Sequence, residues 1–139
     1  MLAAGSVAPT FVAPDQFGRP FDLTAYRGRT LLVYFYPKAD TPGCTAQSCG
    51  LRDVKSRIGG TLIVGISPDA PASQRKFDEK YGLGFPLLAD TDHAVALAWN
   101  VWKKKSMYGR EYMGIERSAF LVGPDGRILH AWYKISPKD

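Results

Sequence analysis

Residues 31–45 read LLVYFYPKADTPGCT and combine two predicted elements. The first six residues are apolar or aromatic without a break, which is typical of a strand buried on both faces of a sheet. Pro37 ends this run, and a polar loop follows it. Thr41 and Pro42 suit the start of a helix, because threonine caps helices and proline fits their first turn. The pattern predicts a buried strand, a loop and a helix that continues from Cys44.

Strands and helices alternate through the middle of the chain. Apolar runs predict two further strands, over 61–66 and 86–89. Three helices are predicted. The first runs from Cys44 to Gly59-Gly60, and the second passes through Phe77 and Tyr81 and ends at Gly82. The third is capped by Asp92 and carries the apolar stripe Val95, Ala98, Trp99 and Trp102. This alternation favours parallel strands joined by right-handed crossovers.

Hairpins are predicted at both ends of this alternating region. Residues 11–23 carry apolar arms around a glycine turn, and residues 118–133 do the same around Pro124-Asp125-Gly126. The polar segment 103–114 is predicted as a long loop. The predicted fold is therefore α/β, with a mixed central sheet flanked by helices and an N-terminal β-hairpin. Sites in such sheets form at the carboxyl ends of the central strands, where the loop 37–44 lies.

The composition excludes several broad classes of protein. The 139 residues are 45% hydrophobic and 22% charged, as expected for a single globular domain over 1–139. The apolar run is far shorter than the ~20 residues of a membrane helix, and no signal peptide is visible, so a cytoplasmic location is expected. The net charge of +5 is dispersed except at Lys103-Lys104-Lys105, which favours a solvated surface over nucleic-acid binding.

The two cysteines, Cys44 and Cys49, are candidates for redox chemistry. Cys44 lies in the first turn of its predicted helix, where free amide groups favour an anion such as a thiolate. In an intact helix, five residues span about 7.5 Å along the axis and ~140° around it. That separation exceeds the ~7 Å Cα distance that a disulfide tolerates, so bonding would require the helix start to unwind.

The cysteine spacing alone leaves other interpretations open. Two buried helical cysteines are common in protein cores. A zinc site needs four ligands, and only His93 and His130, in unrelated contexts, are available to join the pair. The spacing by itself therefore does not choose between a redox pair and two core residues.

Several segments of the sequence resemble a known protein family, and this resemblance favours the redox interpretation of the cysteines. Residues 34–45 resemble the active-site segment of the peroxiredoxins, thiol peroxidases of thioredoxin-like fold. Cys49 resembles the resolving-cysteine position of their bacterioferritin-comigratory, or peroxiredoxin Q, subfamily. Further similar segments lie at 65–69, 77–83, 85–90, 102–114 and 116–121, so that the resemblance runs from about residue 5 to residue 133.

The resemblance implies a role for each matching residue. Cys44 matches the nucleophile, and Thr41 matches the threonine that hydrogen-bonds the thiolate and the peroxide. Pro37 matches the proline that shields the pocket. Arg117 matches the arginine that stabilises the thiolate and polarises the peroxide.

The implied activity is the reduction of hydrogen peroxide and organic hydroperoxides through a cysteine sulfenic acid. An intrachain Cys44–Cys49 disulfide would follow, with recycling by thioredoxin or a glutaredoxin-like reductant and with no metal, flavin or haem. A resolving cysteine in the same chain leads us to expect a monomer. The family would also lead us to expect a helix beyond Asp139.

Two other functions remain as alternatives at this point. A thioredoxin-like disulfide oxidoreductase usually carries C-x-x-C, whereas the spacing here is five residues. A basic non-enzymatic binding module would use clustered cations, of which residues 103–105 are one short run.

Overall fold

The computed structural model of the chain describes residues 2–54 and 61–133. The elements follow one another as β1 (Val12–Pro14), β2 (Pro20–Asp22), a 3-10 helix (Leu23–Tyr26), β3 (Leu31–Phe35), α1 (Pro42–Val54), β4 (Leu62–Ser67), α2 (Pro71–Tyr81), β5 (Leu87–Ala89), α3 (Ala94–Ala98), β6 (Trp102–Met107), β7 (Arg110–Ile115), β8 (Ser118–Val122) and β9 (Ile128–Trp132). None of the helices within these two ranges is long and apolar enough to cross a membrane.

The central sheet has five strands in the order β5-β4-β3-β8-β9. Strands β3, β4 and β5 are parallel, whereas β8 runs antiparallel to β3 and β9 antiparallel to β8. The predicted α/β fold with a mixed central sheet is therefore confirmed. The register pairs Phe35 with Ser118, so the end of β3 lies beside the start of β8.

Strand β3 is buried on both faces, as its unbroken apolar run predicted. Successive side chains of a strand point to opposite faces. Val33 and Phe35 join one core cluster, which also holds Trp99, and Tyr34 and Tyr36 join a second cluster on the other side. The helix start at Cys44 packs into this second cluster.

Both predicted hairpins are confirmed. In the N-terminal hairpin, β1 pairs with β2 from Val12 opposite Asp22 to Pro14 opposite Pro20. Its turn uses the left-handed conformation of Gly18, at φ +76°, which a residue without Cβ adopts at no steric cost. The C-terminal hairpin is formed by β8 and β9, with a β-bulge after Leu121.

The predicted loop over 103–114 is wrong, since this segment forms a third hairpin. Strands β6 and β7 pair in six steps, from Trp102 opposite Ile115 to Met107 opposite Arg110. Tyr108 and Gly109 at its tip both have positive φ, as the two-residue turns that suit hairpin twist require. The strands are largely polar and exposed, so they lack the apolar alternation that marks a strand.

Two helix predictions also change. Trp102 belongs to β6, because α3 ends at Ala98, and so it does not extend the helical stripe. Asp92 accepts a hydrogen bond from the Ala94 amide at 3.2 Å, as a capping residue would, but the next two amides of α3 donate to the buried carboxylate of Asp90. The predicted end of the first long helix at Gly59-Gly60 lies outside the described residues.

Candidate active site

The loop between β3 and α1 occupies the carboxyl edge of the parallel strands. The Tyr36 amide still donates to the Ile66 carbonyl of β4 at 3.0 Å, and Pro37 then turns the chain away from the sheet. Helix α1 begins at Pro42, which places Cys44 in its first turn. The Cys44 side chain is completely buried. The site predicted at this edge is therefore centred on an enclosed thiol.

Arg117 reaches the same edge from a distant part of the sequence. It immediately precedes β8, whose first residue, Ser118, lies opposite Phe35 at the end of β3. The Ser118 hydroxyl donates to the Glu116 carbonyl at 2.9 Å, which braces the turn that holds Arg117. Antiparallel pairing of two strands thus brings the guanidinium to the thiol.

The half-buried Arg117 guanidinium makes two contacts with α1. Its Nη2 donates to Cys44 Sγ at 3.2 Å, and its Nη1 donates to Gln47 Oε1 at 2.7 Å. Gln47 is buried and lies one helical turn beyond Cys44. Together these contacts place a permanent cation beside the sulfur, where it can stabilise negative charge on the thiol or on a bound peroxide.

Thr41 and Pro37 lie in the loop that leads from β3 to the thiol. The Thr41 carbonyl accepts the first helical hydrogen bond, from the Thr45 amide at 2.8 Å. The Thr41 hydroxyl donates to the Lys38 carbonyl at 2.9 Å, and not to the sulfur. Donation to a thiolate or peroxide therefore requires rotation of this hydroxyl. Pro37 is half-buried and follows the end of β3.

Cys49 lies in the same uninterrupted helix as Cys44. Both cysteines are free thiols, and Cys49 is half-buried against the second core cluster. Helix α1 runs through Val54, so the helical separation expected from the sequence holds in this state. A bond between the two sulfurs needs local unwinding of α1.

The layer beneath the thiol contains a buried hydroxyl pair. Tyr34 Oη lies 2.8 Å from Ser48 Oγ, which joins β3 to α1. Burial raises the pKa of Tyr34 well above its ordinary value, and negative charge on either cysteine acts in the same direction. Tyr34 therefore stays neutral and fixes the inner side of α1.

A second set of contacts holds the loop itself. Asp69 Oδ2 accepts from the Ala39 amide at 2.7 Å and from the Ser67 hydroxyl at 2.6 Å. Asp40, with a left-handed backbone at φ +58°, receives hydrogen bonds from Lys80 and Tyr81 of α2. The loop is thus tied to β4 and α2 before it enters α1.

Sequence reasoning missed three of these residues. The position of Gln47 could have indicated it, because Gln47 follows Cys44 by three residues on the predicted helix and residues three apart on a helix are neighbours. Asp69 lies in the similar segment 65–69, where the sequence assigns it no role, and Lys105 lies in the predicted loop over 103–114. Lys105 is half-buried near Arg117, and its pKa is lowered by burial and by the Arg117 cation, against opposing effects from Glu116 and Cys44.

The two histidines have stacking partners elsewhere. His93 stacks on Trp102 with ring centroids 3.9 Å apart, and His130 stacks on Trp132 at 5.4 Å. In residues 2–54 and 61–133, no group of three or more His, Cys, Asp or Glu side chains is arranged to hold a metal ion.

Known proteins are similar to this chain over nearly its whole length. The AhpC/TSA family model matches residues 4–131. The chain is 48% identical to peroxiredoxin Bcp of Escherichia coli strain K12 over 133 residues, covering 94% of this chain and 85% of the relative. It is 42% identical to peroxiredoxin Bcp of Bacillus subtilis over 140 residues, covering 99% of this chain and 89% of the relative.

Solved structures show the same fold. A cysteine-to-serine mutant of Xanthomonas campestris peroxiredoxin Q superposes with a TM-score of 0.89 at 37% identity, covering 96% of this chain and 89% of that one. A mutant of Xylella fastidiosa PrxQ gives a TM-score of 0.90 at 30% identity, covering 98% and 88%. The expected thioredoxin-like fold is therefore confirmed.

The chain belongs to the AhpC/TSA family of peroxiredoxins and, within it, to the Bcp/PrxQ subfamily. It is a thiol-dependent peroxidase. This decides against the two alternatives that the sequence left open, a disulfide oxidoreductase and a binding module without catalysis.

Proposed function

We propose that Cys44 is the peroxide-reducing thiol of this peroxidase, that Cys49 resolves it, and that a thioredoxin-type dithiol protein completes the cycle. The observation that carries the proposal is the 3.2 Å contact between Arg117 Nη2 and Cys44 Sγ in an enclosed site. The substrates are hydrogen peroxide and organic hydroperoxides.

In the first step, the Cys44 thiolate attacks the terminal oxygen of the hydroperoxide. The O–O bond breaks, Cys44 becomes a sulfenic acid, and the leaving oxygen takes a proton to become water or an alcohol. Negative charge develops on that leaving oxygen. The donors that would stabilise it are Arg117, which already contacts Cys44 Sγ, the Thr41 hydroxyl after rotation, and the backbone amides near Gly43. Pro37 keeps water from this side of the pocket.

In the second step, the Cys49 thiol condenses with the sulfenic acid. A disulfide forms, and water leaves. Because both cysteines lie in one continuous helix, the first turns of α1 unwind to bring the sulfurs together. Exchange with a dithiol reductant then restores both thiols and leaves the reductant oxidised.

Resolution within one chain requires no second subunit, and we propose that the chain works as a monomer and a single domain in the cytoplasm. Size-exclusion chromatography with light scattering tests the monomer. Cell fractionation tests the location. Comparison of thioredoxin with a glutaredoxin, each with its own reducing system, tests which dithiol protein serves as reductant.

Single cysteine variants test the cycle. Cys44→Ser is expected to lose peroxide consumption altogether. Cys49→Ser is expected to consume one equivalent of peroxide per chain and then stop, because its sulfenic acid has no partner within the chain. Thiol counts and intact masses after one equivalent of peroxide distinguish the two. The wild-type chain is expected to lose both thiols and about two hydrogens as a monomer.

Two results would contradict this assignment. Continued thioredoxin-dependent turnover by Cys49→Ser would remove Cys49 from the cycle. A disulfide-linked dimer of the wild-type chain would place the resolving thiol on another molecule. A dimedone adduct on Cys44 in Cys49→Ser, absent from Cys44→Ser, serves as the matched control for the sulfenic acid.

A further inference from the structure

The β6–β7 hairpin borders a groove that opens beside the active-site arginine. The groove has a volume of about 470 Å³ and is lined by Lys103, Lys104, Lys105, Ser106, Tyr112, Glu116 and Arg117. Because Arg117 lines the groove and also donates to Cys44 Sγ, the groove is separated from the proposed reacting thiol by one side chain. A molecule in the groove is therefore close to the site of peroxide attack.

The register of the hairpin sorts its lysines onto two faces. Side chains alternate along a strand, and directly paired residues share a face. Lys103 and Lys105 therefore share a face with Tyr112, which is paired with Lys105. Lys104 has the opposite position in the register; it also lines the groove, but its charge is paired with Glu111 in an exposed ion pair at 2.8 Å.

Gly114 makes room for the side chain of Lys105. Gly114 lies opposite Lys103, and a Cβ built there would be 3.2 Å from Cδ of Lys105. A side chain at position 114 would thus push against the Lys105 stem. Glycine lets Lys105 lie across this face, half-buried near Arg117.

The positive charge of the groove exceeds its negative charge. Among the described residues, neither Lys103 nor Lys105 forms an ion pair with a carboxylate. Burial and the Arg117 cation lower the pKa of Lys105, as expected for like charges brought close together. Glu116 is the one carboxylate among the described residues of the lining, against the four cations Lys103, Lys104, Lys105 and Arg117.

We propose that this basic groove binds an anionic group carried by the hydroperoxide substrate, such as a carboxylate, with Lys103 and Lys105 as its ligands. This rests on the peroxidase cycle proposed above and names the substrate class that the site favours. The exposed ring of Tyr112 supplies apolar surface for the organic part of such a substrate. Neutral hydroperoxides react at the same thiol without this contact.

The test compares cumene hydroperoxide with its ring-carboxylated analogue, which differ by one negative charge. Stopped-flow measurement gives the second-order rate constant for oxidation of the reduced chain by each. We expect the wild-type chain to favour the carboxylate by at least about threefold at low salt, and less as salt rises. Lys103→Gln and Lys105→Gln are expected to bring this ratio towards one, whereas Lys105→Arg keeps it.

Lys76→Gln is the matched control, because Lys76 is an exposed lysine of α2 that does not line the groove. It should leave the ratio unchanged. A wild-type ratio of one, or an unchanged ratio in Lys105→Gln, overturns the proposal while the peroxidase cycle stands. Slower recycling by the dithiol protein with an unchanged ratio also overturns it, and assigns the groove to an acidic protein partner. Failure of both hydroperoxides to oxidise the wild-type chain would instead contradict the cycle itself.

Discussion

Gln47 holds the active-site arginine by a single strong contact, in which Arg117 Nη1 donates to Gln47 Oε1 at 2.7 Å. The other terminal nitrogen of the same guanidinium, Nη2, donates to Cys44 Sγ. The planar guanidinium makes both bonds at once, which a lysine ammonium on a flexible stem reproduces poorly. In the proposed cycle, Gln47 is thus a positioning residue that acts through Arg117.

Replacement of Gln47 should therefore weaken the reaction with peroxide without abolishing it. We expect Gln47→Ala to lower the second-order rate constant by roughly tenfold, and Arg117→Ala by roughly a hundredfold or more, since misplacing or removing a charge donor has costs of this order. Stopped-flow oxidation measures both. In an Arg117→Lys background, Gln47→Ala should add little, and full additivity would show that Gln47 acts independently of Arg117.

The carboxylate of Asp69 should matter because it holds the loop that carries Thr41. Asp69→Ala leaves the Ala39 amide without its acceptor, and we expect a loss of about tenfold in the rate constant with hydrogen peroxide. Asp69→Asn keeps an acceptor oxygen and should recover most of this loss. Asp92→Ala, at an exposed position, is the control. Equal rates in the Ala and Asn variants would contradict this role.

Buried tyrosines should make the chain sensitive to high pH. Burial raises the pKa of Tyr34 and of Tyr36 in the folded state, while in the unfolded chain both titrate near ~10. The stabilisation is complete below that pH and is lost as the pH rises towards the folded-state pKa, because the unfolded chain releases its protons first. The free energy of unfolding should then fall by up to about 1.4 kcal/mol per pH unit for each tyrosine.

Denaturant unfolding at about pH 8 and about pH 11 measures this fall. Tyr34→Phe should reduce the difference between the two values, because one of the titrating phenols is gone. The variant also leaves the buried Ser48 hydroxyl unpaired, which should cost about 1–3 kcal/mol at both pH values and cancels in the difference. An undiminished pH dependence in Tyr34→Phe would exclude Tyr34 as a cause.

Gly50 offers a way to change the unwinding of α1 without touching either thiol. A Cβ at this position meets nothing within 4 Å, and alanine is favoured over glycine in a helix by about 1 kcal/mol. Gly50→Ala should stabilise α1 and slow disulfide formation by up to about fivefold, leaving the first oxidation unchanged. The second phase of a stopped-flow trace reports the disulfide step. A more stable chain with an unaltered second phase would show that unwinding does not extend to residue 50.

Gly65→Ala is the contrasting glycine variant, and it should destabilise the chain. Its Cβ would lie 2.8 Å from the Tyr34 ring and 2.9 Å from Leu87 Cδ2, inside a closely packed layer. Overpacking of this kind costs about 1–3 kcal/mol. Thermal or denaturant unfolding measures the loss. Retention of full stability would show that Tyr34 can shift aside.

The local part of the site could be predicted from the sequence, and the non-local part could not. The strand, loop and helix around Cys44 follow from apolar periodicity and from turn residues close together in the chain. The contact of Arg117 with Cys44 depends on which strands pair, which spacing does not reveal, and only the family resemblance suggested it. The β6–β7 hairpin was missed because its strands carry charges in place of apolar residues. The groove beside Arg117 was therefore missed as well.

Cys44 and Arg117 are separated by 73 positions in the chain, and β3 meets β8 only after both have been made. During synthesis on a ribosome, the thiol therefore emerges well before its cation. A nascent or unfolded chain carries Cys44 as an ordinary thiol, and only the completed fold gives it a cationic partner. Under the proposed cycle, the arrangement that promotes attack on peroxide is thus assembled only when folding brings Arg117 to Cys44.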